Sequence, residues 1–137
     1  MDQDMKKEIK QVKDFSVMVV DDEVSLRKVL VRNLKLIGYK TYEAGNGNEA
    51  LEVLDNNHVD LIITDVRMPE ADGVFLLEKV MERESFKPQI VLVTGCAEIT
   101  REEATKKGAL DLLDKPINLD VLEKYIEDER CRTDGRL

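Results

Sequence analysis

The sequence predicts an α/β domain, a doubly wound sheet of five parallel strands with helices on both faces. Three observations point to it. Short apolar runs recur along the chain, none longer than four residues, as in Val17 to Val20 and Ile90 to Val93. Runs without polar alternation suit strands covered on both sides. Each run is followed by a stretch whose apolar residues recur at helical spacing, and parallel strands need such crossovers. The pair occurs five times in 137 residues, the length of one ordinary domain.

Met1 to Asp14 alternates Lys6, Lys7, Lys10 and Lys13 with Asp2, Asp4, Glu8 and Asp14 and has few apolar residues, so it reads as a mobile or loosely helical tail (residues 1–14). The globular part spans 15–129. Ser16 to Val20 is the first strand and runs into Asp21-Asp22-Glu23. Leu26, Val29, Leu30, Asn33, Leu34 and Ile37 mark the inward face of the first helix, which Gly38 ends. Tyr39 to Glu43 is the second strand. Asn46 and Glu49 are spaced as a capping box for a helix that buries Ala50, Leu51, Val53 and Leu54 and stops at Asn56-Asn57.

Leu61 to Asp65 is a buried strand ending in an acid. Pro69 and Asp72-Gly73 turn the chain into a third helix, Val74 to Glu84, which buries Val74, Leu77, Val80 and Met81. After Lys87-Pro88, Gln89 to Val93 is the fourth strand, with Thr94-Gly95 at its end. Thr100 and Glu103 open a polar helix that has Ala104 as its main apolar contact and Gly108 as its stop. Leu110 to Leu113 is the fifth strand and leads into Asp114-Lys115-Pro116. The last helix starts near Asn118 and buries Leu119, Leu122, Tyr125 and Ile126; residues 130–137 read as a frayed tail. There is no internal repeat and no low-complexity segment.

Composition excludes several classes. Aromatics are 4% and Trp is absent, so Val, Leu and Ile must fill the core. A net charge of −8 argues against direct nucleic-acid binding through bulk electrostatics. The short apolar runs leave no transmembrane helix and no signal-peptide core, so no membrane partner is expected. Cys96 and Cys131 have neither metal-ligand spacing nor a disulfide pattern, which suits a reducing cytoplasm. His58 is the single histidine, so a Ser-His-Asp triad is not expected; it reads as a turn residue before the Asp65 strand.

In a parallel sheet every strand's C-terminal end lies on one edge, where open α/β sheets bind ligands. Asp21 and Asp22, Asp65, Thr94 and Lys115 therefore converge from four strands. Three acids cannot crowd together ionised without a counter-charge, and a hard divalent cation supplies one. Asp can act as a nucleophile toward phosphorus, Lys115 can neutralise a phosphate oxygen, and the Thr94 hydroxyl can donate to another.

The Asp21-Asp22 pair, the Asp65-x-x-x-Pro69 loop, Thr94 and Lys115-Pro116 together resemble the receiver domain of two-component response regulators, including the chemotaxis type, over about Phe15 to Asp128. The resemblance implies a flavodoxin-like sheet of strand order 2-1-3-4-5. It implies Asp65 as the phosphoacceptor, with Asp22 as direct metal ligand and Asp21 beside it, and the Arg67 main-chain carbonyl as a further ligand. Thr94 becomes the switch hydroxyl and Lys115 the phosphate-binding lysine, joined to Pro116 by a cis peptide. The cofactor implied is Mg²⁺ or another divalent cation such as Mn²⁺. The partner implied is a sensor histidine kinase or phosphotransfer protein, with self-catalysed transfer and autodephosphorylation in place of enzymatic turnover. Phosphorylation would switch partner binding through the face of the fourth helix, fifth strand and fifth helix, and a homodimer would use the same face.

Two positions depart from the family pattern. Leu112 stands where an aromatic usually lies three residues before the lysine, and Arg67 is a long cation beside the acceptor. A dehalogenase-like phosphatase would need an acid two residues after its nucleophile, where this chain has Arg67. A receiver-like adaptor that is never phosphorylated would not need the intact acid-lysine set. No DNA-binding helix pair, cyclase or phosphodiesterase motif follows Asp128, so the downstream effector is unspecified and the sequence reads as a stand-alone receiver or a piece of a longer protein.

Overall fold

Five strands pair in the order β2-β1-β3-β4-β5, all parallel. They are β1 (Lys13–Val20), β2 (Tyr39–Ala44), β3 (Leu61–Asp65), β4 (Gln89–Thr94) and β5 (Asp111–Asp114). The helices between and after them are α1 (Val24–Ile37), α2 (Gly47–Asn56), α3 (Gly73–Met81), α4 (Arg101–Lys106) and α5 (Leu119–Asp134). The computed structural model describes residues 13–95 and 99–134. The expected tail at the N-terminus and Cys96 lie outside the described residues, apart from Lys13 and Asp14. Among the described residues no helix is long and apolar enough to cross a membrane.

Alternation along each strand divides the core in two. Val17, Val19, Leu61, Ile63, Val91 and Val93 face Leu30, Leu34, Leu122 and Ile126 of α1 and α5. Met18, Val20, Ile62, Ile90 and Leu92 face Ala50, Leu76, Leu77, Val80 and Ala104 of α2, α3 and α4. The inner strands β1, β3 and β4 are therefore buried on both sides, which is why their sequences show unbroken apolar runs, whereas the edge strand β2 is mostly half buried.

The turn chemistry follows the sequence closely. Gly38 takes a left-handed φ of 112° and donates to the carbonyls of Leu34 and Lys35. Asn46 accepts from the Glu49 amide, while Glu49 reaches one residue further back than a capping box requires, to the Gly45 amide at 2.8 Å. Thr100 and Glu103 form the full reciprocal box. Gly108, at φ 112°, ends the α4 turn.

Several boundaries and faces differ from the sequence reading. β1 begins three residues earlier, at Lys13. α3 stops at Met81, and the Arg83 amide tightens onto the Val80 carbonyl at i−3 before Pro88 is reached. α5 continues to Asp134 instead of fraying at Arg130, with Arg130–Glu127 and Arg132–Glu129 pairs at i,i+3 along its last turns. In α1 the buried residues are Leu30, Val31 and Leu34, whereas Leu26 and Val29 are 49% and 57% exposed. Leu119 is likewise exposed and Tyr125 only half buried. α1 carries more apolar residues than one face can hold, so spacing alone could not say which set turns inward.

Candidate functional site

The register of the sheet builds the site. Val20 pairs with Thr64, Asp65 with Val93, and Thr94 with Asp114. The residues one step beyond, Asp21, Asp65, Thr94 and Lys115, therefore form one row along the C-terminal edge. Carboxylate oxygens of Asp21, Asp22 and Asp65 lie within 4.8 Å of one another. Lys115 Nζ donates to Asp65 Oδ2 at 2.8 Å and lies 3.9 Å from Asp21 Oδ2. The sequence-derived acids, threonine and lysine are thus brought together on one edge.

Each side chain is held from behind. The Asp21 amide continues the β1–β2 ladder to the Ala44 carbonyl, and its Oδ1 accepts from the Glu23 amide at 2.9 Å. Asp65 ends β3, and the Val66 amide carries the ladder on to the Val93 carbonyl at 2.9 Å. Thr94 is buried, and its carbonyl accepts from the Lys115 amide at 2.8 Å. The Lys115–Pro116 peptide is cis. Arg67 sits two residues past Asp65 with its side chain exposed, between the buried side chains of Val66 and Met68, which pin the loop on either side.

Electrostatics reflect the crowding. Burial pushes the Asp21 carboxyl above the ordinary range, and the neighbouring Asp65 and Asp22 push the same way; the Glu23 amide and Lys115 only partly oppose them. Burial works against the Lys115 ammonium, but the Asp65 hydrogen bond and the charges of Asp65 and Asp21 hold it above its usual value. Three convergent carboxylates with oxygen donors only, one of them resisting ionisation, form a donor set that fits a hard divalent cation.

Two residues at the site were not singled out for these contacts by sequence. Gly73 opens α3 with its amide on the Val66 carbonyl, and a Cβ there would stand 2.3 Å from the Asp65 carbonyl oxygen. The Asp72-Gly73 turn signal was visible; the close approach to Asp65 was not. Arg27 reaches back from α1 to the Asp21 carbonyl at 2.7 Å. A lone arginine in a helix carries no sequence signal for that contact.

The chain matches the family model of the response regulator receiver domain over residues 17–127. It belongs to that family. The receiver is 37% identical over 112 residues to the regulatory protein AtoC of Escherichia coli, covering 81% of this chain and 24% of AtoC. It therefore spans about a quarter of that relative's length. Among solved structures it is similar to the receiver domain of Francisella response regulator 1452, with a TM-score of 0.80 and 27% identity over 88% of this chain and 99% of that one. The receiver domain of Saccharomyces cerevisiae Ssk1, solved with the histidine phosphotransfer protein Ypd1, shares the fold at a TM-score of 0.77 and 24% identity, over 87% and 90% of the two chains.

Proposed function

We propose that this receiver is the phosphoacceptor switch of a two-component relay, phosphorylated on Asp65 by a sensor histidine kinase or a phosphotransfer protein. The observation that carries the reading is the Asp65–Lys115 pair at 2.8 Å beside two further carboxylates at the same sheet edge. In transfer, an Asp65 carboxylate oxygen attacks the phosphorus of a phosphohistidine. The O–P bond forms as the N–P bond breaks, and the imidazole leaves with the electron pair. The Lys115 ammonium then passes from the carboxylate to a phosphoryl oxygen, and the Thr94 hydroxyl donates to another. Asp21, Asp22, Asp65 and the Arg67 carbonyl would hold Mg²⁺, or Mn²⁺ in its place. When bound there it would offset the carboxylate charge and that of the incoming phosphoryl group. Water later cleaves the acyl phosphate, which resets the switch without a second enzyme.

The donor must lay its own surface over the acceptor. One rim of the site is apolar and exposed: Leu26 and Val29 of α1 and Leu119 of α5 line a groove of about 230 Å³ that reaches Lys115 and Pro116, and Val24 is exposed at the start of α1. A protein donor covering that rim would exclude water during transfer. The Ypd1–Ssk1 complex pairs a receiver with a donor of this kind. A cytoplasmic location, and pairing of two copies through α4, β5 and α5, accompany this reading.

The test is acid-labile phosphate incorporation from acetyl phosphate with Mg²⁺, read by intact mass. Wild type should gain one phosphoryl group and Asp65→Asn none, because the amide keeps the shape and loses the nucleophile. Incorporation at the wild-type level in Asp65→Asn would move the acceptor elsewhere.

A further inference from the structure

We infer that Arg27 is a positioning residue for the divalent-cation site, holding the Asp21–Asp22 peptide so that both carboxylates aim at the sheet edge. The inference rests on the phosphoacceptor reading and concerns a residue outside its reacting atoms.

Arg27 lies in the first turns of α1, and its side chain is 14% exposed. Its Nη1 donates to the Asp21 main-chain oxygen at 2.7 Å, and its Nε donates to Glu43 Oε1 at 3.0 Å. Glu43 belongs to β2, pairs in register with Val19, and is held on its other oxygen by Lys28 Nζ at 3.0 Å. Arg27 therefore spans from a fixed strand to the first carbonyl past the end of β1.

That carbonyl matters because its direction sets the plane of the Asp21–Asp22 peptide. The Asp21 amide is already committed to Ala44, and its carboxylate to the Glu23 amide. With the Asp21 carbonyl fixed as well, the chain enters Asp22 in one orientation. A guanidinium does this well because its donors form a rigid planar fork. Anchoring one donor on Glu43 fixes where the other points.

Charge and position make opposite forecasts. A cation beside three carboxylates repels a divalent ion, so Coulomb's law alone says that removing Arg27 tightens Mg²⁺ binding. Loss of positioning says that binding weakens. Partners that orient metal ligands typically change affinity by roughly 10–100-fold when lost.

The experiment is a Mg²⁺ titration of the full chain by calorimetry for wild type, Arg27→Met, Arg27→Lys and Glu43→Gln, with thermal unfolding recorded in parallel. Arg27→Met should weaken Mg²⁺ binding by about tenfold, at the lower end of that range. Arg27→Lys keeps the charge and loses the fork, so it should weaken binding almost as much. Glu43→Gln keeps the guanidinium and loosens its anchor, so it should fall between these and wild type. If Arg27→Met does not fold, the other two variants carry the test. Binding as tight as wild type or tighter in Arg27→Met, with Arg27→Lys unchanged, overturns the positioning role while leaving the phosphoacceptor reading intact. Wild type that binds no Mg²⁺ overturns both.

Discussion

Gly73→Ala should damage phosphorylation more than any other single-methyl addition among the described glycines. The new Cβ would stand 2.3 Å from the Asp65 carbonyl oxygen and 3.1 Å from both the Asp65 carbonyl carbon and the Val66 Cα. Cβ contacts under 3.0 Å are essentially never sustained, so the two backbones must part by at least 0.7 Å. Neither side yields easily. The Gly73 amide is bonded to the Val66 carbonyl, Asp72 caps α3 through the Phe75 amide, and Val66 is bonded to Val93 of β4. The displacement must be shared between the start of α3 and Asp65, the proposed phosphoacceptor.

Overpacking of this kind costs about 1–3 kcal/mol. For a domain of this size that lowers Tm by several degrees, at roughly 2–8 °C per kcal/mol. A misplacement near 1 Å at a reacting group costs on the order of 100-fold in rate. The assay pairs thermal unfolding with the initial rate of phosphorylation by acetyl phosphate, and Gly45→Ala is the control. At Gly45 the nearest atom to a new Cβ is Glu49 Oε1 at 3.3 Å, the far end of a flexible side chain. Gly45→Ala should change little. A Gly73→Ala protein with wild-type Tm and wild-type phosphorylation rate would refute the reasoning, because it would show that the loop after Asp65 does not hold the acceptor in place.

Three further outcomes follow from the same contacts. Asp22→Ala should weaken Mg²⁺ binding by at least the roughly 10–100-fold seen when an outer partner is lost, yet raise the metal-free Tm by relieving carboxylate repulsion; a clear fall in metal-free Tm contradicts this. Burial raises the Glu43 carboxyl, but its bonds to Lys28 and Arg27 outweigh that and hold it below the ordinary range. Its contribution to stability is therefore present above the unfolded-state pKa and lost as pH falls through the lower folded-state value, so the Tm gap between wild type and Glu43→Gln should close at acid pH; a gap that persists there rules this out. Leu112 is buried in the core cluster with Ile99 and Ala104, so a phosphate mimic on wild type should move the backbone amide shifts of α4 and β5 less than it does on Leu112→Tyr; equal shifts make the aromatic dispensable in this chain.

The acids and the lysine were legible because strand-end chemistry is local. An apolar run that stops at Asp, Thr or Lys states both the strand and what stands at its end, and parallel register aligns those ends without further information. Helix ends were legible for the same reason: the Thr100–Glu103 box, the Asp72-Gly73 turn and the Gly38 stop each act within four residues. What escaped depends on rotation or on contacts between distant segments. The α1 stripe admits two faces about one residue apart; Leu30, Val31 and Leu34 turn inward, and Arg27, on the same stripe, turns with them toward the Asp21 carbonyl and Glu43. The same rotation leaves Leu26 and Val29 exposed beside the phosphoacceptor edge. One rotation of α1 thus joins two features that look unrelated in sequence, an arginine braced behind the acidic pair and an apolar rim in front of it. A substitution at Arg27 that let α1 turn would disturb both, so Mg²⁺ affinity and docking of a protein donor should fail together.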